Sequence, residues 1–361
     1  PVIIVVLRQS AVALRLRTVN WTSRHPPTES VILMQTDTRH PFDELTPDLM
    51  IDAVESQNFI SDGRFLALNS YENRVYQVGI EGQDPMIAKF YRPQRWTDAQ
   101  IDEEHAYCFQ LLAQELPVVA PWVNAAGHSL HRHSGYLFSL YTRRGGRAPE
   151  LGDLDNLLIL GRLMGRIHGV GSMQSFTHRP TLDVENFGWR SYRLISQRFM
   201  IPELQTAYDS LALDVLKKID QLMADYGPVR TIRVHGDCHS GNILWRDDNP
   251  HFVDFDDSRM APAVQDLWML LSGDRYEQSL QMAELVEGYN EFCDFDYREL
   301  RLIEVLRTLR MMHHSAWLAK RWDDPAFPRA FPWFGSARYW SDHILMLREQ
   351  LAALDEPVLH I

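Results

Sequence analysis

The fold of this chain is decided by residues 233–257, which read RVHGDCHSGNILWRDDNPHFVDFDD. Two short apolar runs, residues 243–245 and 251–253, flank a polar turn at residues 246–250, and this pattern predicts a β-hairpin. The two ends of a hairpin lie side by side, so polar groups before and after it can converge on one point. Such groups are present at both ends: His235, Asp237, His239 and Asn242 before the hairpin, and Asp254, Asp256 and Asp257 after it.

These residue types suit the transfer of a phosphoryl group. That chemistry needs a carboxylate to orient the attacking hydroxyl, and an amide with a second carboxylate to hold Mg²⁺ on a nucleotide. Two other interpretations explain the same residues. One is a polar loop with a solvated acidic turn. The other is a transition-metal site, whose ligands are His235, Asp237, Cys238 and His239. No second His/Asp cluster supports such a hydrolase site.

Length and composition restrict the class of protein. A chain of 361 residues is long enough for two domains or one bilobal domain. The net charge of −12 argues against a general nucleic-acid-binding surface, which needs a basic footprint. Three widely spaced cysteines form neither a disulfide framework nor a zinc pattern, which favours a reducing cytosol. No apolar run reaches the length of a membrane span.

The first 33 residues differ in character from the remainder of the chain. Their apolar patch at residues 2–7 lacks a preceding basic segment, so it makes a poor signal peptide. An ordinary polar N-terminus begins at Met34. We therefore expect residues 1–33 to be a non-native or disordered extension, residues 34–142 to form an N-lobe that binds nucleotide, and residues 143–361 to form a C-lobe.

A buried ion pair is predicted in the first half of the chain. Residues 97–100 form a capping box that begins a helix reaching about residue 115. Glu104 lies within the apolar stripe of that helix, whereas Glu103 projects from the far side. A carboxylate on a buried stripe needs a cationic partner, and Lys89, alone in the apolar strand at residues 86–91, is the candidate. The alternative for Lys89 is a lysine on an edge strand.

The turn at residues 69–74 lies where a nucleotide kinase needs a loop over the phosphates, but it lacks the G-x-G-x-x-G pattern. Ser70 and the backbone amides up to Asn73 can replace it, because amide N–H groups in a turn bind anions. The same residues are also compatible with an ordinary hairpin turn. Further on, the loop-rich residues 169–190, which include residues 178–181, suggest a solvated connector, with the lining of a substrate cleft as the alternative. Asp266 is expected to be a buried acceptor for the loop at Asp237, and the aromatic residues at 322–340 are expected to form a packed core.

Family resemblance comes from the string H-G-D-x-H-x-G-N-I-L-W together with the later F-V-D-F-D-D. It resembles the catalytic and metal-binding segments of the aminoglycoside phosphotransferase and choline kinase superfamily. The further segments LNSYENRVYQ, KFYRPQRW, APAVQDLWMLL and RWDDPAFP are similar to those of bacterial stress-response serine/threonine protein kinases. This resemblance extends over about residues 34–357. The D-F-G motif of ordinary protein kinases is absent, because Phe255-Asp256 comes after Asp254.

The resemblance implies an α+β, bilobal, protein-kinase-like fold with a small β-rich N-lobe and a large, mainly helical C-lobe. It implies a cytoplasmic, monomeric serine/threonine protein kinase of the stress response that uses ATP and Mg²⁺. Its substrates would be proteins, including itself, and neither nucleic acid nor membrane would be a partner. A small-molecule kinase of the same fold remains the alternative. The roles carried over are Asp237 as proton acceptor, Asn242 and Asp254 as Mg²⁺ ligands, Ser70 as an ATP contact, and Lys89 with Glu104 as the ion pair.

Overall fold

The computed structural model describes residues 40–247 and 249–361, so the predicted extension at residues 1–33 lies outside the described residues. Helix α1, Pro47–Glu55, comes first, and its N-cap Thr46 accepts a hydrogen bond from the backbone N–H of Leu49, as the Thr-Pro start signal predicts. The next element is an antiparallel five-stranded sheet in the order β1-β2-β3-β5-β4. Its strands are β1 Ser61–Ala67, β2 Arg74–Ile80, β3 Gln83–Phe90, β4 His131–His133 and β5 Tyr136–Thr142.

Strand β3 occupies the middle of this sheet. Lys89 pairs with Val75 of β2 on one side and with Ser139 of β5 on the other. Lys89 is therefore not on an edge strand, and the alternative explanation for this lysine is wrong. A charged side chain at a central, buried position needs ionic partners, because desolvation of an unpaired charge is costly.

Helix α2, Asp98–Ala113, connects β3 to the second half of the sheet. Both hydrogen bonds of the predicted capping box form between Thr97 and Gln100. The helix ends two residues before the predicted boundary, a difference typical of helix ends, which fray. Its buried face includes Ile101, Glu104 and Cys108, the stripe that the sequence predicts.

Helices make up most of the remainder of the described chain. Glycines 161 and 165 of α3 allow its close approach to α7, since a Cβ at either position would lie within 2.5 Å of a backbone carbonyl oxygen of Leu285 or Tyr289. These helices are α3 Leu154–Ser172, α4 Arg190–Arg198, α5 Pro202–Tyr226, α6 Val264–Trp268, α7 Arg275–Asn290, α8 Ile303–Lys320, α9 Ala326–Ala330 and α10 Ala337–Ala353.

Two of the later helices have well-defined starts. A 3₁₀ segment, Tyr297–Leu302, precedes α8. Ser336 caps α10 by accepting from the N–H of Tyr339. The aromatic segment between α8 and α10 packs inside, where Phe327, Phe334 and Trp340 are fully buried. The expected packed core is confirmed.

Two short antiparallel ribbons organise residues 232–261. Strands β6, Ile232–Val234, and β9, Arg259–Ala261, pair with each other. The predicted hairpin forms from β7, Ile243–Arg246, and β8, Asn249–Phe252. Its turn is tighter than predicted, because Pro250 lies in β8 opposite Trp245 instead of in the turn. A two-stranded ribbon tolerates proline, since its free edge needs no N–H donor.

The architecture confirms the predicted α+β fold, with a sheet-rich first part and a mainly helical second part. Among the helices that the structure describes, none is long and apolar enough to cross a membrane. The β6–β9 ribbon has the greatest consequence for function: it brings the loop after β6 beside the loop before β9.

Candidate active site

The loop after β6 is held in place by a buried carboxylate. Asp266 of α6 accepts hydrogen bonds from the backbone N–H groups of His235 (2.7 Å) and Gly236 (2.8 Å), and His168 lies 3.1 Å from it. The predicted structural role of Asp266 is confirmed. Gly236 has φ of +81°, and a Cβ there would lie 2.3 Å from the carbonyl oxygen of Asp257. Only glycine lets the two loops approach this closely.

Asp237 lies at the tip of this loop with its side chain 15% exposed. The amide nitrogen of Asn242 donates to the backbone oxygen of Asp237 at 2.9 Å and lies 3.4 Å from Oδ2 of its carboxylate. The structure therefore brings these two predicted site residues into contact. Asn242 uses its nitrogen for this contact, and its Oδ1 makes no hydrogen bond to another described residue.

Asp254 comes after the hairpin in a left-handed backbone conformation, with φ of 62° and ψ of 63°. Aspartate and asparagine tolerate this conformation better than most residues do. Lys89 donates to Oδ1 of Asp254 at 3.0 Å, and the carboxylate is 39% exposed. Among the described residues, Oδ2 of Asp254 has no hydrogen-bond partner.

The donor set fits Mg²⁺ better than a transition metal. Oδ1 of Asn242 and Oδ2 of Asp254 are oxygen atoms without partners among the described residues, and Mg²⁺ commonly takes one or two protein oxygens together with water and phosphate oxygens. No group of three His, Cys, Asp or Glu side chains in the described part of the chain is placed to hold a metal ion.

Of the four side chains of the transition-metal alternative, His239 and Asp237 approach each other at 3.7 Å, whereas His235 and Cys238 have other partners. His235 contacts the backbone oxygen of Val253, Asp237 contacts Arg310, and the buried Cys238 lies 4.0 Å from the sulfur of Met164. Burial raises the pKa of the Cys238 thiol well above its usual value, which disfavours the thiolate that a metal would need.

Lys89 is surrounded by acidic groups. Its Nζ lies 3.0 Å from Asp254, 3.3 Å from Asp256 and 3.9 Å from Glu104. Burial disfavours the charged ammonium, but the three carboxylates outweigh this effect and hold the pKa of Lys89 well above its usual value. The lysine is therefore a fixed cation that points at the predicted metal ligand Asp254.

Glu104 has a second cationic partner that sequence reasoning missed. Arg179 lies 3.6 Å from the second carboxylate oxygen of Glu104, and its guanidinium also donates to the backbone oxygens of Gln100, Asp256 and Ser258. The loop at residues 177–181 is thus not a solvated connector at Arg179, whose side chain is fully buried. The sequence carries no signal for this contact, because the three carboxylates around Lys89 come together only in the folded chain.

Glu103 fixes helix α2 to the same loop. Its carboxylate accepts the backbone N–H groups of Thr177, His178 and Arg179 at 2.6–2.9 Å. Although partial burial would raise the pKa of Glu103, these hydrogen bonds outweigh it and lower the pKa. Neighbouring glutamates therefore have different tasks: Glu103 anchors the helix, and Glu104 faces Lys89.

The Glu104 carboxylate is expected to weaken folding as the pH rises. Burial raises its pKa to about 7, against the opposing effect of Lys89 and Arg179, whereas an unfolded glutamate titrates near ~4.3. Between these values the folded chain keeps a proton that the unfolded chain releases, so the free energy of unfolding falls as the pH rises. Urea unfolding from pH 4.5 to 7.5 should show Glu104→Gln gaining stability relative to wild type.

Glu103→Gln serves as the matched control for that measurement. The pKa of Glu103 is lowered, so its contribution to stability is lost only as the pH falls below the unfolded value. The difference between wild type and Glu103→Gln should stay constant from pH 5 to 7.5. A constant difference for Glu104→Gln as well would contradict a raised pKa at Glu104.

Asp256 and Asp257, directly after Asp254, are tied to arginines. Arg95 forms an ion pair with each of them, and Arg259 lies 2.7 Å from Asp257. Burial alone would raise the pKa of both carboxyls, but the arginines, Arg95 foremost, hold each pKa below its usual value. The two aspartates therefore stay ionised and serve to fix the loop that carries Asp254.

The predicted phosphate loop, residues 69–74, contains Ser70 and Asn73. Asn73 is buried; its nitrogen donates to Asp256 at 3.1 Å, and its oxygen accepts from the backbone N–H of Arg92 at 3.1 Å. Both ends of this side-chain amide are used and position the loop, so a nucleotide contact of Asn73 would use its backbone N–H and stays a prediction. Ser70 is half-buried and makes no hydrogen bond to another described residue, which leaves its hydroxyl free.

Helix α8 joins the phosphate loop to the loop at Asp237. Glu72 of the phosphate loop accepts from the indole N–H of Trp317, and it lies 2.6 Å from the guanidinium of Arg321. Two turns before Trp317, Arg310 forms an ion pair with Oδ1 of Asp237. Nothing in the local sequence around Arg310 indicates this contact, which spans 73 positions of the chain.

The comparison with known proteins agrees with this geometry. The model of the phosphotransferase enzyme family matches residues 64–303. The chain is 43% identical to stress response kinase A of Escherichia coli strain K12 over 326 residues, which cover 89% of this chain and 97% of that protein. It is 41% identical to the serine/threonine protein kinase RdoA of Salmonella typhimurium, covering 90% and 98% of the two chains.

Solved structures with a similar fold are kinases of small molecules. Amicoumacin kinase hAmiN, solved with AMP-PNP and Ca²⁺, aligns with a TM-score of 0.65 at 18% identity and covers 83% of this chain and 92% of its own. A microcompartment-associated aminopropanol kinase aligns with a TM-score of 0.63 at 16% identity and covers 84% and 96%. These two likenesses show the fold, and the sequence relatives show the family. The chain therefore belongs to the phosphotransferase enzyme family and, within it, to the group that includes stress response kinase A.

Proposed function

We propose that this protein is an ATP- and Mg²⁺-dependent serine/threonine protein kinase that transfers the γ-phosphoryl group to a protein hydroxyl. One observation carries the proposal: the loops around the β7–β8 hairpin meet the sheet. Lys89 of the sheet contacts Asp254, and Asn242 contacts Asp237. The backbone N–H of Val253, next to Asp254, donates to the carbonyl oxygen of Asn242 at 3.0 Å and joins the two pairs. Phosphoryl transfer depends mainly on positioning and on charge neutralisation, and these are the groups it requires.

Asp237 acts as the proton acceptor in this mechanism. The amide of Asn242 holds its backbone and faces Oδ2, so the carboxylate is oriented before a substrate arrives. An acceptor hydroxyl that donates to this carboxylate is aligned for attack on the γ-phosphorus, while the bond to the leaving ADP oxygen breaks. The hydroxyl proton passes to Asp237.

Lys89 and the phosphate loop serve the nucleotide. The Lys89 ammonium, fixed by Glu104, is a permanent positive charge beside Asp254. The free hydroxyl of Ser70 is available to a phosphate oxygen. Asn242 Oδ1 and Asp254 Oδ2 would hold Mg²⁺, which neutralises phosphate charge when bound.

Protein substrates, autophosphorylation, a cytoplasmic location and a monomeric state are further parts of this proposal. The serine/threonine protein kinase named among the relatives supports a protein acceptor. A small-molecule hydroxyl would use the same residues, and the structural neighbours named above are kinases of small molecules. That activity is the second candidate.

The test of function is incubation of the purified chain with γ-labelled ATP and Mg²⁺, either with generic protein substrates or with a panel of amino alcohols, sugars and aminoglycosides. Label in protein, including the kinase itself, supports the first candidate. Label only in a metabolite supports the second. The absence of label in both sets, in a folded sample that binds no nucleotide, would contradict both.

Replacement of Lys89 by methionine should lower kcat/KM for ATP by roughly tenfold or more, because a positive charge near the transferred group is lost. Methionine retains the apolar stem in the sheet, so packing changes little. Steady-state kinetics at saturating Mg²⁺ checks the effect, with Lys217→Met on the exposed face of α5 as the control. Wild-type kinetics for Lys89→Met would assign the lysine a structural role only.

A further inference from the structure

The face of α8 that borders the active site carries a row of polar and aromatic residues. Arg310, His314, Trp317 and Arg321 succeed one another at spacings of four, three and four, so they lie on one side of the helix. Arg310 contacts Asp237, and Trp317 and Arg321 contact Glu72 of the phosphate loop. The rings of His314 and Trp317 stack at 5.8 Å between them.

The spacing along α8 separates the two ends of this row. Trp317 comes seven positions after Arg310, which corresponds to about 10 Å along the helix axis. The phosphate loop lies at the Trp317 end, so the nucleotide belongs to that end. Arg310 lies at the other end, beside the proton acceptor, where the acceptor hydroxyl must bind.

Both carboxylate oxygens of Asp237 have polar neighbours in this arrangement. Arg310 donates to Oδ1, while Asn242 and His239 approach Oδ2 at 3.4 and 3.7 Å. A hydroxyl that binds Asp237 therefore has to compete with a charge-assisted hydrogen bond, one of the stronger interactions in proteins. The acceptor must displace Arg310 from Oδ1.

A displaced guanidinium needs another anion. Among the described residues, Asp237 is the carboxylate that Arg310 contacts. The charge of Arg310 also acts on Asp257. Asp257, however, is already paired with Arg95 and Arg259. The Nε of Arg310 is buried without a hydrogen-bond partner among those residues. The described part of the protein supplies no second anion, so the anion has to arrive with the acceptor.

We propose that Arg310 is a specificity-determining residue that selects an acceptor carrying a negatively charged group next to its hydroxyl. The negatively charged group of the acceptor forms an ion pair with the guanidinium of Arg310, so Oδ1 of Asp237 becomes free. The hydroxyl proton then moves to Oδ1 as the oxygen–phosphorus bond forms and ADP leaves. Without such an acceptor, Arg310 covers Asp237 and restrains transfer to water. This inference rests on the proposed role of Asp237 as proton acceptor.

The experiment compares wild type, Arg310→Gln and Arg307→Gln, all with Mg²⁺ and ATP. Arg307 lies on the same helix but contacts Glu304 and Gln278 instead of the catalytic loop, so it is the matched control. Two acceptor pairs distinguish the source of the charge: a serine peptide flanked by aspartates against its asparagine counterpart, and glycerate against glycerol. ATP hydrolysis without any acceptor is measured in parallel.

Wild type and Arg307→Gln should prefer the charged member of a pair by at least about fivefold in kcat/KM, and Arg310→Gln should lose this preference. Arg310→Gln should also hydrolyse ATP at least about threefold faster than wild type, because water gains access to Asp237. Should this variant not fold, Arg310→Lys is expected to shift both quantities in the same direction by less.

Either of two results overturns the inference: equal use of charged and neutral acceptors by wild type, or hydrolysis by Arg310→Gln that is no faster than wild type. If wild type phosphorylates no member of either pair, the hydrolysis rates alone decide. A wild-type chain with neither Mg²⁺-dependent hydrolysis nor transfer contradicts the proposed function itself, which is a distinguishable outcome.

Discussion

Replacement of Asp237 by asparagine or alanine is expected to reduce phosphotransfer by at least about a hundredfold, the scale that a positioned proton acceptor contributes. Asparagine keeps the shape of the side chain and can still contact Arg310, but it cannot take a proton. Alanine also removes the partner of Arg310. The measurement is the single-turnover rate of label transfer from ATP at saturating nucleotide, which isolates the chemical step from binding.

Nucleotide binding separates a catalytic from a structural effect at Asp237. Both variants should bind Mg·ATP with near wild-type affinity, since among the described residues the Asp237 side chain contacts Arg310, Asn242 and His239 and neither Lys89 nor Asp254. Asp247→Asn in the hairpin turn is the control, because its side chain is 85% exposed. Near-normal turnover by a folded Asp237→Asn protein would remove Asp237 from the mechanism.

Replacement of Asp254 is expected to abolish the dependence of nucleotide binding on Mg²⁺. Asparagine removes the one charged ligand proposed for Mg²⁺ and leaves neutral amide oxygens, and Lys89 loses its ion-pair partner at 3.0 Å. Asparagine is the better test than alanine, because it tolerates the left-handed backbone at φ of 62°. Titration calorimetry with ATP should show wild type binding at least about tenfold more tightly with Mg²⁺ than with EDTA, and Asp254→Asn binding equally in both.

The EDTA arm provides the internal control for Asp254. Without Mg²⁺, wild type and variant should bind ATP to a similar extent through Lys89 and the phosphate loop. A variant whose affinity still increases with Mg²⁺ would show that the ion is held elsewhere. A variant that binds no nucleotide even in EDTA, with an unchanged melting temperature, would instead point to a role of Asp254 in positioning Lys89.

Much of this organisation could be predicted from local patterns. The capping box at Thr97 and the polar string around the hairpin predict elements whose geometry depends on neighbours in sequence. The placement of Glu104 on the buried face of α2 can be deduced from helical periodicity, and a buried carboxylate requires a cation. For that reason the partnership of Lys89 with Glu104 could be inferred although the two residues lie in different elements.

The number of charged groups around Lys89 could not be inferred in the same way. The sequence itself determined the elements, the family motifs and the residue types at the site. It could not determine that Lys89 faces three carboxylates, or that Arg95, Arg179 and Arg259 neutralise the surplus. Arginine is frequent on surfaces, and nothing in a sequence window distinguishes a buried arginine from an exposed one.

The tertiary structure alone decided which side chains border Asp237. Arg310, on a helix 73 positions away, covers the proposed proton acceptor, and Asn73 turns out to hold Asp256. Both contacts join elements that are distant in sequence, and local periodicity carries no information about which helix packs against which loop. The sequence determined the chemistry available in this protein, whereas packing decided which charges meet, because burial requires every ion to find a partner.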